Sequence, residues 1–125
     1  MILTYKELDD YLESIGGLTH GYTGNKILNS DFFEVSQGWN QLIKDLISDL
    51  IKMGWNREVI QVKEKFGTLR FYINEGTDDI HRRIANAENF SSIICEATGK
   101  PGKLRNDLPW WRTLCDEEYD KIKNK

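Results

Sequence analysis

The run Glu58–Asn74, EVIQVKEKFGTLRFYIN, decides how the rest of the chain is read. Two stretches of alternating apolar and polar residues flank a turn at Lys65-Phe66-Gly67, the pattern of a β-hairpin with one buried face. Ile60 and Val62 share one face of the first strand; Leu69, Phe71 and Ile73 share one face of the second. Lys63, Glu64, Lys65 and Arg70 fall at the turn end or on the exposed face, where charge discourages edge pairing. A hairpin alone is barely stable in water, so its apolar face needs cover. The sequence just before it supplies a helix. Trp39, Leu42, Ile43, Leu46, Ile47, Leu50 and Ile51 recur at three- and four-residue spacing, with Gly54 as the expected cap. Lys44, Asp45, Ser48, Asp49 and Lys52 make the solvent side.

Outward from this pair, the amino-terminal segment predicts another helix. Thr4 and Glu7 have the spacing of a capping box, Tyr5, Leu8, Tyr11, Leu12 and Ile15 form one face, and Gly16-Gly17 ends it. Residues 18–37 read as a long loop pinned by Phe32, Phe33 and Val35; a loop of this length in a compact domain is either functional or hides an element. After the hairpin, a third helix starts beyond Thr77, with Asp78 and Asp79 at its positive end and Ile80, Ile84, Ala87 and Ser91 on one face. Ser91–Glu96 (SSIICE) reads as a short strand, and the last ten residues as a terminal helix. The expected fold is α+β: one domain over residues 1–125, with helices packed on a small antiparallel sheet in residues 1–91 and a tail in residues 92–125.

The tail has the layout of a two-knuckle zinc site with half its ligands missing. It runs Cys95-x-x-Thr98, sixteen residues, then Cys115-x-x-Glu118. Structural zinc takes four thiolate or imidazole ligands. A protonated threonine hydroxyl and one carboxylate are poor substitutes, and His20 and His81 lie far off in sequence. The reading is therefore a degenerate, metal-free zinc-ribbon-like tail, with Cys95 and Cys115 as remnant ligand positions and no cofactor. One indole of Trp110-Trp111 is expected to pack inward across the vacated site.

Together, GWNQLIKDLISDLI, QVKEKFGTLRFYI and CEATGKPGKLR…WWRTLC resemble a family of small proteins of bacteria and their phages. In that family a KEKFG-x-LRFY hairpin precedes a tail of the form Cys-x-x-Cys, Gly-x-Pro-Gly, Cys-x-x-His. The likeness spans about residues 38–118 and departs at Thr98 and Glu118. It implies an accessory role tied to phages or mobile elements and brings no activity with it.

Composition narrows the function classes. A chain of 125 residues can bury about two-thirds of its unfolded surface and needs no staples. The start, MILTYKELDDYLESIGG, lacks a basic leader and a small-residue cleavage site, and no apolar run is long enough to span a bilayer; the expected compartment is the cytoplasm, with reduced thiols and no membrane partner. The net charge of −3 is uneven: residues 1–54 hold four Lys/Arg against eight Asp/Glu, and residues 55–125 hold thirteen against twelve. That is not the balance of a whole-surface nucleic-acid binder. No nucleophile–base pair or P-loop stands out, and His20 and His81 are single histidines in a turn and on a wet helix face. The chain reads as non-enzymatic.

Two binding surfaces remain. Lys100, Lys103, Arg105 and Arg112 interleave with Trp110 and Trp111, a mixture that contacts phosphate and stacks on bases. Alternatively, the indoles are core and the cations a solvated face. Acidic residues of the amino-terminal half, among them Asp9, Asp10, Asp45 and Asp49, are suited to a basic protein surface, where charge complementarity speeds association. The leading expectation is an inhibitor or modulator carried by a phage or mobile element and acting on a host protein, such as a CRISPR-type, nucleic-acid-guided defence effector. The alternative is a small nucleic-acid-binding module built on the basic, aromatic tail.

Overall fold

The structure, a computed structural model, describes residues 2–124. Its architecture is α+β, as the periodicities imply. Helix α1 (Tyr5–Ser14) opens on the expected capping box: the Glu7 N–H donates to Thr4 Oγ1 at 3.1 Å and the Thr4 N–H to Glu7 Oε1 at 3.2 Å. Helix α2 (Asn40–Lys52) buries Ile43, Leu46, Ile47 and Leu50. Each such side chain contributes roughly 1.5–3 kcal/mol relative to an exposed one. Helix α3 (Asp78–Ser91) is capped by Thr77, whose hydroxyl accepts the Ile80 N–H at 3.2 Å. Its buried stripe is Ile80, Ile84, Ala87 and Ser91.

The sheet is mixed rather than antiparallel. Strands β4 (Glu58–Lys65) and β5 (Thr68–Ile73) form the expected antiparallel hairpin. The free edge of β4, however, carries two short strands end to end, β1 (Leu18–His20) and β3 (Phe33–Glu34), both parallel to it. Strand β2 (Lys26–Ile27) pairs antiparallel with β1 outside them. Residues 18–37, expected as one long loop, thus hold three short strands and a 3-10 turn at Ser30–Phe32, with a second turn starting at Gln37. Strands of two or three residues are too short to show a period, and their partner lies far along the chain.

A bulge between Val59 and Gln61 corrects the inward set of β4. Val59 and Val62 face the core with no exposed surface, and Ile60, expected beside Val62, is only partly covered. An extra residue on one strand lets two positions three apart point the same way.

Residues 92–124 do not begin with a strand. Helix α3 runs through Ser91, turns follow, and Ile94 makes a single bridge to Pro101. Strands β6 (Lys103–Arg105) and β7 (Arg112–Leu114) then pair antiparallel, and α4 (Asp116–Lys123) closes the chain with Cys115 as its N-cap. This part has its own small core of Cys95, Leu108, Leu114 and Cys115, with Tyr119 and Ile122 against it.

Three long-range hydrogen bonds fasten it to the rest. The Gly38 N–H donates to the Glu96 carbonyl at 2.8 Å, and Trp39 Nε1 donates to the Ile94 carbonyl at 2.9 Å. Thr113 Oγ1 donates to the Gly67 carbonyl at 2.7 Å; apart from these, Ser91 Oγ at the end of α3 accepts the Leu69 N–H of β5 at 2.9 Å. No helix among the described residues is long and apolar enough to cross a membrane.

Candidate functional site

The hairpin turn carries an unusual residue. Phe66 and Gly67 form a two-residue loop between the paired Lys65 and Thr68, with φ of +54° and +82°. Two positive φ values are what a type I′ turn requires, and its favoured first residue is Asn or Asp. A phenylalanine held there costs about 1–2 kcal/mol. The backbone throws its ring outward, where it is 62% exposed. Gly67 cannot be replaced without moving the tail: a Cβ on it would meet Leu104 Cδ1 at 2.5 Å and the Arg112 backbone nitrogen at 3.1 Å.

This close approach makes one wall of a groove of about 790 Å³ between the β4–β5 turn and the tail. Phe66, Leu104, Trp110 and Trp111 line it, with Arg70 and Glu64 as its charged members. Trp111 meets Phe66 edge-on, with ring centroids 6.2 Å apart. Trp110 is 77% exposed and Trp111 46%, so neither indole packs inward as the sequence led us to expect. The reason is volume and position. Leu108 and Leu114 already fill the interior of the tail, and the indoles precede β7 in the bend that leads into it. The Glu64 carboxylate is occupied, accepting the Gly67 N–H at 2.7 Å. Arg70 has its Nε sealed from solvent with no hydrogen-bond partner among the described residues, which leaves a donor unmet beside the groove.

The four cations singled out in the tail are largely committed within it. Arg105 donates to Asp116 at 2.7 Å and to the Leu114 carbonyl at 3.1 Å. Arg112 pairs with buried Glu96 at 2.9 Å, and Lys100 lies 3.6 Å from Glu117. Lys103 stands near Asp116 and helps hold that carboxyl below the ordinary carboxylate value, after the larger effect of the Arg105 hydrogen bond. For Glu96, burial pushes the carboxyl above its ordinary value against the pull of Arg112. The acidic candidates are engaged as well. Asp9 accepts the Ser30 N–H at 2.6 Å, Asp10 pairs with Lys6, Asp45 accepts from Gln41 and Asp49 pairs with Arg83. His20 Nδ1 accepts the N–H groups of Tyr22 and Thr23, which commits its acceptor nitrogen to the turn.

The cysteines are free and buried. Burial pushes the Cys95 thiol up, but hydrogen bonds from the Thr98 hydroxyl and from the backbone N–H groups of Cys115, Ala97 and Thr98 outweigh it and leave the thiol below its ordinary value. Thr98 Oγ1 also lies 3.8 Å from Cys115 Sγ. Glu118 is turned to Lys121 at 2.7 Å. Among the described residues no group of three or more His, Cys, Asp or Glu side chains is placed to hold a metal ion.

Phe66, Leu104 and Arg70 were not among the site residues expected from sequence. One signal was present: an aromatic residue immediately before a hairpin-turn glycine, where a small polar residue belongs. Compared with known proteins, the chain matches no family model, and neither a curated protein nor a solved structure gives a significant match.

Proposed function

We propose that this chain is a non-enzymatic binding protein and that the aromatic groove is its docking surface. One observation carries the reading: Phe66, Leu104, Trp110 and Trp111, all substantially exposed, come together from two separate hairpins to line one concavity. Exposed apolar surface gathered in one place marks an interaction site, whereas scattered exposed side chains need no explanation. The strained turn at Phe66 supports it, because backbone strain persists where function rewards it.

In this reading the partner class remains the one expected from sequence, a host protein such as a nucleic-acid-guided defence effector, with the chain as a modulator from a phage or mobile element. The surface differs. Asp10 and Asp49 are paired with cations, and Asp9 and Asp45 accept hydrogen bonds from neighbours, so the groove rather than the acidic helices is the face to test.

The test is co-purification of the tagged chain from host lysate, beside a Phe66→Ala/Trp111→Ala variant and an Asp10→Asn/Asp49→Asn variant. A stoichiometric partner lost with the aromatic variant and kept by the other is the expected result. The opposite pattern overturns the groove.

A further inference from the structure

Resting on that reading of the groove, we infer that its ligand is a single-stranded nucleic acid, with bases stacked on Phe66, Trp110 and Trp111 and phosphates held by Lys63, Lys65 and Arg70. The cations come from the hairpin rather than from the tail. Lys63 and Arg70 are directly opposite each other across β4 and β5. Their neighbours Val62, Leu69 and Phe71 face the helices, so this pair faces away from them. Lys65 follows at the turn.

None of the three has a carboxylate within ion-pair distance among the described residues, in contrast to Arg105, Arg112 and Lys100. Two acidic neighbours stand close by. Glu64 is taken by the Gly67 N–H, and Glu34, beside Lys63 on β3, accepts weakly from Gln61 at 3.4 Å. Three cations without an ion pair thus stand against two neighbouring carboxylates, next to exposed rings.

Charge and rings alternate over short distances. Lys65 Nζ lies 5.6 Å from the Phe66 ring centroid, Lys63 Nζ lies 5.9 Å from that of Tyr72, and Trp111 meets Phe66 edge-on. A backbone-tracking cation row beside aromatic platforms is the arrangement that holds unpaired strands, whose bases are free to stack. A duplex keeps its bases stacked on each other and offers no face to an indole. An acidic peptide satisfies the cations but has no flat groups for the rings.

The experiment uses the full chain and a fluorescein-labelled dT12 oligonucleotide, followed by anisotropy at low salt. An abasic twelve-mer with the same phosphates and a decaglutamate peptide serve as comparisons. Binding of dT12, with weaker binding of the abasic strand, is expected. Trp110→Ala and Trp111→Ala should each weaken dT12 by about five- to hundredfold, the range for loss of one stacked base. Three phosphate contacts predict that log affinity falls with log salt at a slope of about −2. Lys63→Gln/Lys65→Gln/Arg70→Gln should flatten that slope.

Both indoles are exposed, so far-UV circular dichroism will show these variants folded. Absence of dT12 binding at low salt, equal binding of the abasic strand, or indifference to both tryptophan substitutions overturns the inference. Binding of decaglutamate in place of dT12, lost with the same tryptophan variants, overturns the strand but leaves the groove standing as the docking surface. A partner that co-purifies equally with the aromatic variant removes the groove itself.

Discussion

Phe66 trades stability for exposure. Its left-handed backbone suits asparagine better, and Asn-Gly is the preferred pair for a turn of this kind. Phe66→Asn should therefore raise stability to unfolding by about 0.5–1 kcal/mol in urea titration, the relief of φ strain less the lost edge contact with Trp111. The same substitution should weaken whatever the groove binds. A loss of stability would show that the ring's contacts outweigh the strain. Cys95 has a different signature. Its thiol is held below the ordinary value of 9.0 because the folded chain donates hydrogen bonds to the sulfur, after the opposing effect of burial. A depressed folded pKa stabilises fully above the unfolded value, and that contribution is lost as pH falls through the folded one. The stability difference between wild type and Cys95→Ala should consequently grow as pH rises toward 9. A difference that stays flat from neutral pH upward would mean that the hydrogen bonds do not favour the thiolate.

At the scale of elements, α1 and α3 were legible because each has a buried stripe and a capping threonine in the right place, and α2 because of its stripe. Thr4, Thr77 and the run from Ile43 to Leu50 act as their spacing implied. The β4–β5 hairpin was legible for the same reason, yet its bulge was not, since one inserted residue leaves no mark on composition. β1 and β3 were invisible because a strand of two or three residues is defined by its distant partner rather than by its own pattern. For the site, the indoles were found and their direction missed. Burial of a tryptophan depends on whether other side chains have already filled the interior, here Leu108 and Leu114. The two hairpins also depend on each other. Thr113→Val should cost about 1–3 kcal/mol by leaving the buried Gly67 carbonyl without a donor, measured by chemical denaturation. It should also loosen the groove, read as a change in tryptophan emission. A neutral result would show that water replaces the hydroxyl.

For the molecule as a whole, the joint between the helices and the tail is set by Gly38. A Cβ there would come within 2.4 Å of the Glu96 carbonyl carbon and oxygen, and backbone cannot swing aside as a flexible side chain can. Gly38→Ala is expected to cost about 3 kcal/mol or more and to lower the unfolding midpoints seen by circular dichroism and by tryptophan fluorescence together. Separate midpoints would mean that residues 92–124 melt by themselves. The interlocking also bears on how a ligand can be found. Because Phe66 and the Trp110–Trp111 pair sit on segments some forty residues apart, the unfolded chain does not assemble the groove. Any molecule that fits there must bind the native form alone, so it raises the melting temperature, by the equivalent of about 2.7 kcal/mol at a hundred times its dissociation constant. Thermal-shift screening thus reports occupancy without a label, and a screening hit that leaves a groove variant's melting temperature unmoved has been assigned its address.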